Sequence, residues 1–272
     1  MGRHVFRRVL DKREVTVMAL SILVPHCALG GTHYLQGFLQ TLASQTVKPH
    51  EIIVVDDSSI HDRDSVRNLC QEYDCKLIEL PFVNYRPQWS KKFNLAFEQI
   101  TGDAVMLLSA GFLMHRVALE VMEVALRSLG RGNIVVSDSQ RQQMDDAGGN
   151  PKDWYQQTVY EVAKEDGVPY IVSLLGPYLV FRETNYMLID CGFFQALHAV
   201  DWIPWDEEFD EVGAWHAIVE WGYRLIKVHK KQLWIHRSLL AWHQPVHIGG
   251  PSRSEAQIKA SQQLLLEKVP KC

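Results

Sequence analysis

The sequence has 272 residues, 47% hydrophobic and 22% charged, with a formal net charge of -4. That composition supplies a sizeable core and excludes collagen-like, low-complexity and disordered classes. The weakly acidic balance gives no global pull toward nucleic acid, and no apolar run reaches the ~18 residues of a membrane-spanning helix.

Arg3, Arg7 and Arg8 precede an apolar run over residues 15–24, a pattern that imitates a secretory signal. Asp11 and Glu14 interrupt it, and the run also reads as a first strand. A cytoplasmic location is expected, with peripheral membrane attachment through residues 1–14 as the alternative. Five cysteines, Cys27, Cys70, Cys75, Cys191 and Cys272, lack paired spacing and read as reduced thiols.

Short apolar runs and helical periodicities then alternate. Residues 20–25 suit a buried parallel strand, and Leu35, Phe38, Leu39 and Leu42 recur at helical spacing. Residues 51–55 give a second strand, followed by the helical set Val66, Leu69, Cys70 and Tyr73. A third strand over 76–80 precedes a helix carrying Phe93, Ala96, Phe97 and Ile100. Strands over 104–108 and 133–137 flank a helix lined by Val121, Met122, Ala125, Leu126 and Leu129. This rhythm predicts an α/β fold, a Rossmann-like, mostly parallel sheet with helices on both faces.

Residues 138–169 are polar and read as a long loop, and such loops are often functional. Beyond them the pattern predicts strands over 170–181, a helix over 211–221, and strands over 223–228 and 232–235. Ser252 and Glu255 suggest a capping box opening a C-terminal helix. The expected organisation is one domain over 1–272: an α/β half (20–137), a mixed half (138–250) and a terminal helix (251–272).

The second strand runs directly into Asp56-Asp57-Ser58-Ser59. Ligands of open α/β sheets sit beyond the carboxyl ends of strands, where carboxylates can accept hydrogen bonds from a base or ribose. The alternative is a polar turn with an Asp cap. Lys91 and Lys92 can neutralise an anionic leaving group or form a solvated helix start. Asp210 and Glu211 are either catalytic acids or acids favoured at a helix N-terminus. The segment 242–250 carries His243, His247 and two glycines, which suit a lid or a surface loop. Trp202, Trp205, Trp215 and Trp221 serve either sugar stacking or core packing.

Taken together, Ser21-Ile22-Leu23-Val24-Pro25, the stretch from Leu42 to Ser59, Ser90-Lys91-Lys92-Phe93-Asn94 and Gly102-Asp103 resemble the inverting family 2 glycosyltransferases of the GT-A fold. The resemblance implies transfer of a sugar from a nucleotide diphosphate sugar, UDP favoured, to an acceptor hydroxyl. It implies donor contacts at Pro25, Asp56 and Asp57; Lys91, Lys92 and Asn94, and Ser109 and Gly111 at the end of the fourth strand, are the further candidate donor-site residues. It places the general base at Glu211, counted from Gly222-Tyr223, with Asp210 as the alternative because the usual acid order is reversed. The family's metal-binding Asp-x-Asp is replaced by Ser109-Ala110-Gly111, so a Mn or Mg cofactor is in question; His236 is the remaining candidate ligand. The rival reading is a nucleotide-sugar-binding protein of the same fold with weak or lost turnover.

Overall fold

The computed structural model describes residues 18–27, 32–58, 60–83, 88–141, 179–181, 195–213, 216–243 and 255–269. The first half follows the predicted alternation: β1 (Leu20–His26), α1 (His33–Ala43), β2 (Glu51–Asp56), α2 (Ile60–Glu72), β3 (Lys76–Glu79), α3 (Trp89–Phe97), β4 (Ala104–Leu107), β5 (Phe112–Met114), α4 (Ala118–Leu129) and β6 (Asn133–Arg141). The second half adds β7 (Leu179–Phe181), β8 (Gln195–His198), α5 (Glu208–Glu211), α6 (Ala217–Tyr223), β9 (Gln232–His243) and α7 (Glu255–Lys268).

Among the described residues, nine strands form one sheet in the order β3-β2-β1-β4-β8-β6-β9-β5, with β7 also paired to β9. The strands β3, β2, β1 and β4 are mutually parallel, whereas β8 runs antiparallel to both β4 and β6. All seven residues of β1 are buried. That is the signature of a central strand covered on both faces, and it explains why its sequence is apolar apart from Ser21 and His26 rather than alternating. Helix α3 packs on β1 and β2, and α4 packs on β6 and β8. Gly102 is required where the chain enters β4, because a Cβ there would lie 2.3 Å from the Ala19 carbonyl oxygen.

Aromatic stacking joins α3 to the second half. Phe93 lies 4.9 Å from Trp205, Trp205 lies 4.9 Å from Trp221, and Phe97 lies 4.5 Å from Trp202. Trp205 and Trp221 are buried, and the Trp221 indole donates to the Ile203 carbonyl at 2.8 Å. These three tryptophans are core; Trp215 lies outside the described residues.

Four expectations need correction. The loop expected over 138–169 begins later, because residues 138–141 extend β6 and pair with β9 beyond a register shift near Ser137 and Ser139. A polar side-chain run does not stop a backbone ladder from continuing. The helix expected over 211–221 is two pieces, since Gly213 adopts φ 103° between α5 and α6. The strand expected over 223–228 is helical: α6 passes into a π-helical turn over Arg224–Val228, with Glu220 and Arg224 paired one turn apart and Leu225 buried. Finally, Trp242 and His243 end β9 rather than opening a loop. The rest of segments 138–169, 170–181 and 242–250, and the Ser252 cap, lie outside the described residues.

Candidate functional site

The site is built at the carboxyl ends of β1 and β2. Parallel register sets Pro25 beside Val55 and His26 beside Asp56. The His26 ring Nδ1 lies 2.8 Å from Asp56 Oδ1, and the Ser58 hydroxyl donates to the same oxygen. Burial pushes the Asp56 carboxyl up, but the His26 and Ser58 hydrogen bonds outweigh it and hold it below the ordinary aspartate range. Asp56 therefore stays ionised. Its second oxygen, Oδ2, is buried and accepts no hydrogen bond. A buried acceptor without a donor is costly, and a ligand N–H or hydroxyl at this place would satisfy it.

Asp57 has a different environment. The Lys92 ammonium lies 2.6 Å from Asp57 Oδ1 and donates to the His26 carbonyl at 2.7 Å. The Gln88 amide donates to Asp57 Oδ2 at 3.2 Å. Lys92 is 1% exposed, so its charge is spent inside the fold on Asp57. Sequence reasoning offered Lys92 as a partner of a diphosphate or a solvated cation; the structure shows a buried ion pair. Such a pair is conditional on both members being present.

The second acid pair sits across α3. Asp210 accepts the Ser90 backbone N–H at 3.0 Å through Oδ1 and the Lys91 backbone N–H at 2.9 Å through Oδ2. Both N–H groups belong to the first turn of α3 and lack intrahelical acceptors, so Asp210 closes that helix end from another part of the chain. Burial pushes the Asp210 carboxyl up to about 6, against the pull of these two backbone bonds. Glu211, next in sequence, is exposed. Asn94 completes the junction: its amide donates to the Trp205 carbonyl and to Glu207, and its oxygen accepts the Trp205 N–H at 2.8 Å. Helix α3 thus meets Asp57 through Lys92 and Asp210 through its first turn.

Ser109, Ala110 and Gly111 connect β4 to β5, and Ser109 Oγ accepts the Gly111 N–H at 3.2 Å. Neither Ser109 nor Gly111 supplies an anionic oxygen, and among the described residues no group of three or more His, Cys, Asp or Glu could hold a metal ion. The described residues at this place do not fit a divalent metal. His236 lies on β9, three positions from β4 in the sheet, and its side chain is outside the described residues. The end of β9 comes closer: Phe112 pairs with His243, beside the Ser109-Gly111 segment. Among described residues the structure therefore gathers Pro25, Asp56, Asp57, Lys92, Lys91 and Asp210 around α3, and leaves the backbone of His236 apart.

Two buried polar residues of the site were missed in the sequence, His26 and Gln88, while Ser58 was read only as part of the strand-end polar run. His26 had a readable signal, because aligning the two apolar runs as neighbouring parallel strands sets it opposite Asp56. Gln88 had none.

The family model described as Glycosyl transferase family 2 matches residues 21–174, more than half of the chain. Among solved structures, S. aureus TarS residues 1–349 in complex with UDP-GlcNAc superposes with TM-score 0.62 at 14% identity, over 92% of this chain and 66% of that one. The longer S. aureus TarS structure gives TM-score 0.57 at 14% identity, over 91% of this chain and 39% of that one. A mycobacterial protein gives TM-score 0.54 at 14% identity, over 93% and 76%. The chain thus spans well under half of the longer TarS chain, and at these identities the likeness is one of fold. No curated protein matches the sequence. With the family model covering the strand-end site, the first turn of α3 and the β4–β5 connection, this chain belongs to glycosyl transferase family 2 and has the GT-A fold.

Proposed function

We propose that this protein transfers a sugar from a uridine diphosphate sugar to an acceptor hydroxyl with inversion at the anomeric carbon. The observation that carries the reading is the buried, ionised Asp56 with one unpartnered oxygen at the end of β2. It suits the imide N–H of a uracil ring, which offers one donor between two carbonyls. The TarS structures with UDP and UDP-GlcNAc support a donor of this class on the same fold.

Glu211 is the general base in this reading. It is exposed, whereas both oxygens of Asp210 are occupied by backbone N–H groups. A base must reach the acceptor hydroxyl. Glu211 takes the hydroxyl proton; the oxygen attacks the anomeric carbon and forms the new glycosidic bond. The bond from that carbon to the diphosphate breaks on the opposite face, and the diphosphate leaves with the electron pair. Asp210 is the positioning residue that fixes α5 to α3. Lys91, at the same helix start, is the cation left to meet the leaving group, since Lys92 is held by Asp57.

One observation favours a second reading, a donor-binding protein with little turnover: the neutral Ser109-Ala110-Gly111 segment where the family carries acids. Incubation with UDP-sugars, with and without a chelator, separates the two. Release of UDP that survives chelation supports an enzyme with weak metal dependence. UDP binding without any release supports the second reading, and release abolished by chelator and restored by manganese overturns the weak metal dependence.

A further inference from the structure

The run Arg224-Leu-Ile-Lys-Val-His-Lys-Lys231 places four Lys or Arg within eight residues, and the site described above uses none of them. Leu225 is buried and Ile226 half-buried, which anchors the turn and leaves Lys227, Val228, His229 and Lys230 exposed. Val228 is 57% exposed, and Lys230 turns the chain at φ 54°.

Hydrogen bonds knit this turn to two others. The Gln232 N–H donates to the Gly132 carbonyl at 2.9 Å, and the Gly132 N–H donates to Asp201 Oδ2 at 2.6 Å. Lys231 pairs with Asp201. Arg131 and Val200, the latter 66% exposed, are therefore carried next to the 227–231 turn. Of the nearby acids, Asp201 is engaged by Lys231 and Gly132 and Glu220 by Arg224, while Asp103 accepts the Ala19 N–H at 3.4 Å and keeps its charge. No carboxylate pairs with Arg131, Lys227 or Lys230 among the described residues.

Topology fixes the direction of this patch. Ala104, at the start of β4, pairs with His198 at the end of β8, and Asn133 and Gln232 both begin their strands there. The patch thus lies at the end of the sheet opposite Asp56 and Asp57.

We propose that this end of the molecule docks reversibly on an anionic lipid surface. Arg131, Lys227 and Lys230 would sit on headgroup phosphates, with Val200 and Val228 as apolar tips in the interfacial layer. Single exposed valines on separate turns, ringed by unpaired cations, suit a yielding lipid interface better than a protein groove, which needs a contiguous apolar patch. Docking this way leaves the donor site facing away from the surface.

The test is sedimentation of the full chain with phosphatidylcholine vesicles, with and without phosphatidylglycerol, at low and high salt. Binding is expected only with phosphatidylglycerol and should fall with salt. Each cation near such a surface is worth about five-fold in affinity, so Lys227→Glu with Lys230→Glu should weaken binding by more than about 25-fold. Val200→Asn with Val228→Asn should weaken it less, and unchanged thermal midpoints in all variants show that the fold is kept. The proposal is overturned by no binding to phosphatidylglycerol, by equal binding to neutral vesicles, or by charge-reversed protein that binds as well as wild type. Charge-dependent capture of soluble polyglutamate or RNA without vesicle binding also overturns it and assigns the patch to another partner.

Discussion

The two acid pairs, Asp56-Asp57 at the end of β2 and Asp210-Glu211 on α5, look alike in sequence and differ in physics. Asp56 is buried against His26 and Ser58 and Asp57 against Lys92, so charge and hydroxyl partners offset their desolvation. Asp210 is equally buried, yet its partners are neutral backbone N–H groups, and its carboxyl is pushed up to about 6. Burial acts on both; the partner decides the direction. The strand-end pair is a set of fixed anionic acceptors. The α5 pair divides into an inner acid that holds two helices together and an outer acid that faces solvent.

That division is tested most severely by catalysis. Glu211→Gln should lower sugar transfer by ~10²- to 10⁴-fold, the usual worth of a general base, with UDP affinity within a few-fold. Asp210→Asn should reduce turnover less and thermal stability more. Loss of transfer in Asp210→Asn with a normal Glu211→Gln would exchange the two roles.

The next largest effect is on folding. Lys92→Met leaves Asp57 as a buried, unpaired charge and should cost about 3–5 kcal/mol in denaturant unfolding. Adding Asp57→Asn should recover a good part of that loss, since the uncompensated charge goes with it. A loss below ~1 kcal/mol in the single variant would show that the ion pair is solvated rather than internal.

The sharpest contrast is in pH dependence. Asp210 has a folded pKa above its unfolded value, so the fold favours its protonated form. Its contribution is fully present below about pH 4, is lost as pH rises to about 6, and then stays flat. A shift of this size corresponds to about 2–3 kcal/mol. Asp56, held below its ordinary range, has the opposite sign: it stabilises above that range and its contribution is lost as pH falls. Asp210→Asn should therefore remove a decline in stability between about pH 4 and pH 6, and Asp56→Asn should instead flatten the loss on acidification. Identical pH profiles for both variants would erase the distinction.

Much of the first half was legible because β1, β4 and most of β2 are buried on both faces. Largely apolar runs at 20–25, 51–55 and 104–108 declare parallel strands, and the helices between them keep a clean 3.6-residue period. The second half mixes antiparallel β7 and β8, of three and four residues, with a β9 parallel to β6, and Gly213 interrupts its helices, so periodicity fails there. Gln195–His198 is a four-residue strand between β4 and β6 that no pattern announced. The Tyr223 to Val228 stretch has a strand's composition but is held helical by the Glu220–Arg224 pair and by the packing of Leu225. In the site, positions were readable and partnerships were not. Asp56 and Asp57 were found by their place after a strand, but which charge met which carboxylate depends on α3 crossing β1 and β2. Counting from Gly222-Tyr223 singles out Glu211 as the proposed base; that Asp210 turns inward to cap α3 is a long-range fact absent from any local window.

Calorimetric titration of UDP into the wild-type protein and into Asp56→Asn tests the role of the unpartnered Asp56 oxygen. Wild type is expected to bind UDP, and the variant, still folded, to bind at least about tenfold more weakly, a loss of ~1.4 kcal/mol. Unchanged affinity in Asp56→Asn, or no UDP binding by wild type, would contradict that role.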